Sequence, residues 1–273
     1  MLFYIYLILG AVVGVSVSVG SGLADRIADV WIVVLMMLAA FFALLVLHFI
    51  VLIIISACLR NRKDEAQPDS FVRKFAMASL EMLLKLARVR LHVNGEEKLP
   101  DGTFVMVCNH RSLMDPVTSI VAFQKHNLAF VSKKENVNVP VFGSFIANIG
   151  CLYLDRENAR AAVQTINKAA EAVRSGKWSM AICPEGTRNR TEELLLPFHA
   201  GSFKIAQKAK KPLVIAVFRG TERVKRNAVK RKTDVYIDIL EVIPPEKVCE
   251  QNTTELADHA KDVMTKSLER SGR

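Results

Sequence analysis

The chain opens on two long apolar runs separated by a short polar break. Leu2 to Leu23 carries no charged side chain and has about the 20 residues that a bilayer span requires. Ala24 to Asp29 holds Asp25, Arg26 and Asp29, and Val30 to Leu59 is uncharged again, with His48 as its one imidazole. This second run exceeds a single span, so it has to tilt, kink or emerge into the interface. Arg60, Arg62 and Lys63 follow at once. By the positive-inside rule they place that end in the cytoplasm, and two spans put the N-terminus there too. A hairpin dipping into one leaflet fits the same pattern. A cleavage site at Gly22-Leu23-Ala24 is a third reading, although the run lacks the basic n-region of a signal peptide. Residues 1–63 are therefore read as a membrane-anchoring helical hairpin.

Residues 64–87 read as a linker, Asp64 to Ser70, followed by an amphipathic helix. Phe71, Phe75, Ala76, Leu80, Leu83, Leu84 and Leu86 recur at helical spacing, with Arg73, Lys74 and Lys85 between them. Such a helix either docks on a neighbouring domain or lies on a membrane. Residues 88–273 change rhythm. Short apolar runs at Arg88–Val93, Phe104–Cys108, Leu128–Ser132, Cys151–Leu154, Trp178–Cys183, Leu213–Phe218 and Asp234–Leu240 read as strands. Helical stretches fall among them: Pro116–Phe123, Val139–Ile149 opened by Pro140, Glu157–Arg174 and Thr254–Leu268. The alternation predicts an α/β domain with a central, largely parallel mixed sheet flanked by helices.

Composition adds constraints. The 273 residues carry a net charge of +10, and 51% are hydrophobic, the excess lying at the N-terminus. A basic surface suits phospholipid headgroups, phosphorylated small molecules or nucleic acid. With 7% aromatic residues and no stacking motif, nucleic acid ranks last. Arg219 to Lys232 concentrates the charge and reads as a solvated loop or as a contact for anionic lipid or an acidic donor. The cysteines at 58, 108, 151, 183 and 249 form no Cys-x-x-Cys. That pattern predicts reduced thiols, a catalytic domain on the cytoplasmic side and no metal site.

The candidate chemistry lies at strand ends. Asn109-His110-Arg111-Ser112-Leu113-Met114-Asp115 follows one apolar strand and precedes Pro116. A His and an Asp across such a turn can fold back on one another, the Asp orienting the ring and leaving the other nitrogen to take a proton. The alternative makes His110 a turn histidine and Asp115 only a helix N-cap. Pro184-Glu185-Gly186-Thr187-Arg188 follows another strand, where Gly186 allows close backbone approach and Arg188 suits an anionic oxygen. His199 competes as a base but has no acidic neighbour in sequence, which makes it at best a substrate contact. No Gly-x-Ser-x-Gly elbow is present, which argues against an α/β-hydrolase.

In this order the motifs resemble those of the glycerolipid acyltransferases, most closely the 1-acylglycerol-3-phosphate acyltransferases. The resemblance runs from about Arg88 to Phe218. It rests on Asn109, His110 and Asp115; on Gly150, Asp155 and Arg156; on Pro184 to Arg188; and on the proline-led strand Pro212 to Val217. It implies acyl transfer from an acyl thioester, acyl-CoA or acyl-acyl carrier protein, to the free hydroxyl of lysophosphatidic acid, giving phosphatidic acid in membrane phospholipid. No cofactor and no acyl-enzyme is implied, because the thioester is already activated. His110 is then the general base, oriented by Asp115. Arg188, with Glu185, Gly186 and Thr187 shaping the loop, holds the acceptor phosphate, and Asp155 and Arg156 complete that site or form a structural pair. Two positions depart from the family pattern: Cys183 stands where an aromatic residue is common, and Asn189 where serine is usual. Glycerol 3-phosphate or a larger lysophospholipid is the alternative acceptor. A non-catalytic, lipid-binding membrane adaptor is the alternative of another class.

Overall fold

The computed structural model describes residues 1–22, 30–60, 70–139, 141–228 and 230–271. The expected polar break at 24–29, the linker at 64–69, the charges of Arg62 and Lys63, and the helix-opening Pro140 lie outside the described residues.

Helices α1 (Leu2–Gly20) and α2 (Val30–Arg60) pack along each other. The buried positions of α1 are Gly10, Gly14 and Ser18. A small residue at every fourth position lets two apolar helices approach backbone to backbone. A Cβ on Gly14 would lie 2.5 Å from the Met37 Cα. Ile8, Val12, Leu35, Leu38 and Phe42 face outward, and both helices are long and apolar enough to cross a membrane. The excess length of α2 has a destination. Leu52, Ile55 and Leu59 join the core of the following domain, so the last turns of α2 are docking surface.

Helix α3 (Ser70–Leu86) takes the docked alternative. Val72, Ala76, Met77, Met82 and Leu84 are buried. Arg73 donates to the Ile149 carbonyl at 3.1 Å and to Asn127 Oδ1 at 2.9 Å, with its guanidinium 4.2 Å above the Trp178 ring. His48 ties α2 to both neighbours. Ser79 Oγ donates to the Phe75 carbonyl at 2.7 Å, so it accepts from His48 Nε2 at 3.1 Å. His48 Nδ1 then accepts from the Tyr6 hydroxyl at 3.0 Å. A buried imidazole inside an apolar hairpin is thereby fully partnered.

The remaining elements, in order, are β1 (Val89–Asn94), β2 (Val105–Cys108), α4 (Met114–Ala122), β3 (Leu128–Lys133), α5 (Phe142–Asn148), β4 (Leu152–Leu154), α6 (Ala159–Arg174), β5 (Ser179–Ile182), α7 (Lys204–Ala209), β6 (Leu213–Arg219), α8 (Val224–Asn227), β7 (Thr233–Ile243), α9 (Pro245–Glu250) and α10 (Thr253–Arg270). The strands form one sheet in the order β1-β7-β6-β2-β5-β3-β4. Every neighbouring pair is parallel except β6 and β7. Every residue of β2 and β5 is buried, as the uninterrupted apolar runs require of strands covered on both faces. Strand β2 lies mid-sheet between β6 and β5, so its carboxyl end opens where an α/β sheet presents its chemistry.

Candidate active site

Asn109 is the first residue past β2 and is almost wholly buried. Its side chain crosses to β6, donating to the Phe218 carbonyl at 3.0 Å and accepting from the Phe218 N–H at 2.7 Å. The amide thus replaces a ladder step where β2 stops pairing. Asn109→Ala leaves two buried backbone groups unpaired, and a destabilisation of about 3 kcal/mol is expected, read as a lower denaturation midpoint of the purified chain.

His110 follows, and the chain turns. Helix α4 begins at Met114, so Asp115 lies inside its first turn and is not its N-cap. The Met114 N–H is taken by Ser112 Oγ at 3.1 Å. The Asp115 carboxylate turns back instead. Its Oδ2 accepts from His110 Nδ1, from the Arg111 N–H and from the Ser112 N–H, each at 2.8 Å. Asp115 is wholly buried, whereas the His110 ring keeps 19% of its side chain exposed. With Nδ1–H committed to the carboxylate, Nε2 is the acceptor. Burial works against the imidazolium, but the Asp115 hydrogen bond and the nearby Cys183, Asp115 and Glu185 groups outweigh it, so the His110 pKa is raised.

The loop after β5 closes on this turn. Glu185 is buried. Its Oε1 accepts the His110 N–H at 2.6 Å and its Oε2 the Leu196 N–H at 3.0 Å. Burial raises the Glu185 pKa against those N–H groups and the nearby His110 and Arg111 charges. The Asn189 N–H donates to the His110 carbonyl at 2.7 Å. Both sides of the His110 peptide are therefore held by the same loop. The Asn189 side chain braces that loop, donating to the Glu193 carbonyl at 3.0 Å and accepting from the Thr191 hydroxyl at 2.8 Å.

Gly186 has a φ of +72°, and a Cβ there would lie 2.9 Å from the His199 ring. Backbone conformation and space both call for glycine. Arg156 donates to the Gly186 carbonyl. Thr187 is exposed, and half-exposed Arg188 has no hydrogen-bond or ion-pair partner among the described residues. The fold thus gathers His110, Asp115, Glu185, Gly186 and Arg156, with Thr187 and Arg188 on the same loop. The Asp155 carboxylate has other partners. Its Oδ2 meets Lys134 Nζ at 2.8 Å and its Oδ1 accepts the Glu157 N–H at 3.1 Å at the approach to α6. His199 has no carboxylate partner among the described residues.

A cavity of about 320 Å³ adjoins the turn, lined by Asn109, Arg111, Phe218, Arg219, Arg223 and Tyr236 among others. A larger one, about 650 Å³, lies at α10 among Lys98, His259, Lys266 and Arg270, away from the dyad. Part of the charge between Arg219 and Lys232 is already spent. Arg219 pairs with Asp238 at 2.6 Å, Arg223 with Glu222 at 3.2 Å, and Arg231 Nε donates to Asn227 Oδ1 at 2.9 Å. Among the described residues no group of three or more His, Cys, Asp or Glu could hold a metal ion.

Residues 90–219 match the family model described as Acyltransferase. The chain is 31% identical to a 1-acyl-sn-glycerol-3-phosphate acyltransferase of Bacillus subtilis, over 60% of this chain and 79% of that protein. The chain belongs to this acyltransferase family. A yeast relative, the 1-acyl-sn-glycerol-3-phosphate acyltransferase of Saccharomyces cerevisiae, is 32% identical over 66% of this chain. The match spans 60% of the yeast protein's length and 64% of a putative relative's length in Caenorhabditis elegans. The crystal structure of the Thermotoga maritima 1-acyl-sn-glycerophosphate acyltransferase superposes with a TM-score of 0.56 at 26% identity, covering 73% of this chain and 81% of that one. Of the two departures, Asn189 is buried, and its side chain bonds the Glu193 carbonyl and Thr191 within its own loop, while its backbone N–H reaches the His110 carbonyl.

The fold decides how the motif side chains are used. Asn109 belongs to a recognised motif, yet its contact with β6 appears only once the strand order is known. Lys134 lies just past β3, and nothing in the sequence marks it as the partner of Asp155.

Proposed function

We propose that this chain transfers a fatty acyl group from an acyl thioester to the sn-2 hydroxyl of 1-acylglycerol 3-phosphate, giving phosphatidic acid. The observation that carries the reading is the buried carboxylate–imidazole pair at 2.8 Å, on a strand-end turn held from both sides. An alcohol is a weak nucleophile near neutral pH and needs a base as it attacks. His110 Nε2 accepts the hydroxyl proton, while Asp115 keeps Nδ1–H oriented and stabilises the imidazolium. The oxygen attacks the thioester carbonyl, a tetrahedral oxyanion forms, and the thiolate leaves with the proton from His110. No protein nucleophile takes part. Arg188, unpartnered and half-exposed on the loop that clamps the dyad, suits bidentate capture of the acceptor phosphate. Gly186 and Thr187 shape that site and Arg156 pins it. Glu185 serves by holding His110, and Asp155 by ordering the neighbouring segment with Lys134. The donor is acyl-CoA or acyl-acyl carrier protein, and no further cofactor is needed. The apolar hairpin keeps this site at the membrane, where the acceptor resides, with the basic segment after α2 on the cytoplasmic face.

An acceptor panel with a radiolabelled acyl thioester tests the reading. Lysophosphatidic acid is expected to be acylated in preference to glycerol 3-phosphate and to lysophospholipids with larger headgroups. Preference for another acceptor would reassign the substrate, and lipid binding without turnover would favour the adaptor reading. Arg188→Ala is expected to raise the acceptor KM about tenfold or more, with kcat much less changed. Unchanged acceptor dependence would remove Arg188 from the phosphate site.

A further inference from the structure

Cys108 and Cys183 stand side by side at the ends of β2 and β5. These strands pair in parallel with Val107 opposite Ile182, so the cysteines take the next position, and their sulfurs lie 3.6 Å apart. Both thiols are free. Neighbouring strands run about 4.8 Å apart, inside the roughly 4.4–6.8 Å Cα spacing that a disulfide accepts. The remaining thiols stand differently: Cys58 and Cys249 are exposed, and buried Cys151 accepts the Phe130 N–H at 3.2 Å.

The pair sits at the root of the proposed catalytic machinery. Cys108 precedes His110 by two positions and Cys183 precedes Glu185 by two. Those two residues are joined by the 2.6 Å bond from the His110 N–H to Glu185. Cys183 is half-buried and close enough to His110 to affect its charge, whereas Cys108 is fully enclosed.

We propose that Cys108 and Cys183 form an oxidation site, where a hydroperoxide converts the dithiol to a disulfide and thereby halts acyl transfer. The second half of this proposal rests on the acyltransferase reading above. Cys183, the more accessible sulfur, attacks the terminal peroxide oxygen and the O–O bond breaks. Cys183 becomes a sulfenic acid, and the departing alkoxide takes the thiol proton and leaves as an alcohol. The Cys108 sulfur then attacks the sulfenic sulfur. The S–O bond breaks, and hydroxide leaves as water with the Cys108 proton. Two thiols give up two electrons and the peroxide gains them. Burial pushes the Cys108 thiol well above its usual range, which casts Cys108 as the resolving partner and Cys183 as the first to react. Closing the sulfurs from 3.6 Å to about 2.05 Å turns both side chains into disulfide geometry at the strand ends, and the His110 turn two positions on shifts with them.

The test treats the purified full-length chain with hydrogen peroxide, then maps non-reduced peptides by mass and assays acyl transfer. The expected map joins the Cys108 and Cys183 peptides with the loss of two hydrogens. Activity is expected to fall about 100-fold, the scale of a catalytic group displaced by about 1 Å, and to return with dithiothreitol. Cys108→Ala and Cys183→Ala are each expected to keep their own untreated activity under the same peroxide. Lost activity without the cross-link, or the cross-link with activity intact, would overturn the proposal. The map is read on the wild-type chain, so it judges the dithiol even if a variant misfolds. A chain inactive before peroxide would count against the acyltransferase reading while the map still judges the thiols.

Discussion

His110→Ala is expected to lower acyl transfer to lysophosphatidic acid by roughly 10²- to 10⁴-fold, the usual contribution of a positioned general base. The loss falls in kcat, with the acceptor KM near its wild-type value, because the ring acts on the reacting proton and not on the phosphate. The fold is expected to survive. Removing the imidazole leaves Asp115 accepting from the Arg111 and Ser112 N–H groups, and the Glu185 and Asn189 bonds to residue 110 are made by its backbone. Labelled acyl transfer and a melting curve on the same preparation read both halves. A variant that transfers at the wild-type rate would end the general-base assignment.

Asp115→Asn is expected to cut the rate by a comparable factor and also to move the pH profile. On the proposed mechanism the wild-type base is the neutral imidazole, so activity is expected to fall as pH drops through the His110 pKa. That pKa is raised, so the acid limb is expected above the ordinary histidine value of about 6.5. Burial, the largest influence on His110, lowers it. Removing the charge and weakening the hydrogen bond at Asp115 leaves burial less opposed, and the midpoint moves to lower pH. The asparagine oxygen can replace Oδ2, but its amide then points where Asp115 Oδ1 has no hydrogen-bond partner, so some stability is lost as well. A kcat/KM profile from pH 5 to 9 on both proteins reads the shift. An unmoved acid limb would show that another group titrates there.

Local interactions are written in the sequence of this chain, and long-range ones are not. Strands β2, β5 and β6 were legible as apolar runs because they are covered on both faces, and burial of that kind is written locally. The turns at Asn109–Asp115 and Pro184–Arg188 were legible because polar and glycine residues interrupt those runs. The two N-terminal helices were legible from length and lack of charge. The choice left open for α3 was settled by Arg73, whose partners Asn127 and Ile149 are distant in sequence.

By itself, the sequence determined the α/β class, the two apolar helices, and a His and an Asp on a single strand-end turn. Tertiary structure decided what those groups do. Strand order set β5 and β6 on either side of β2, which put Glu185 on the His110 amide, Asn189 on its carbonyl, Phe218 on Asn109 and Cys183 against Cys108. It also decided between the two readings of Asp115, placing it inside α4 as a buried acceptor of three hydrogen bonds and not as a helix cap. The physical reason is that periodicity records whether a residue is buried, whereas its partners depend on which strand ends the sheet brings together.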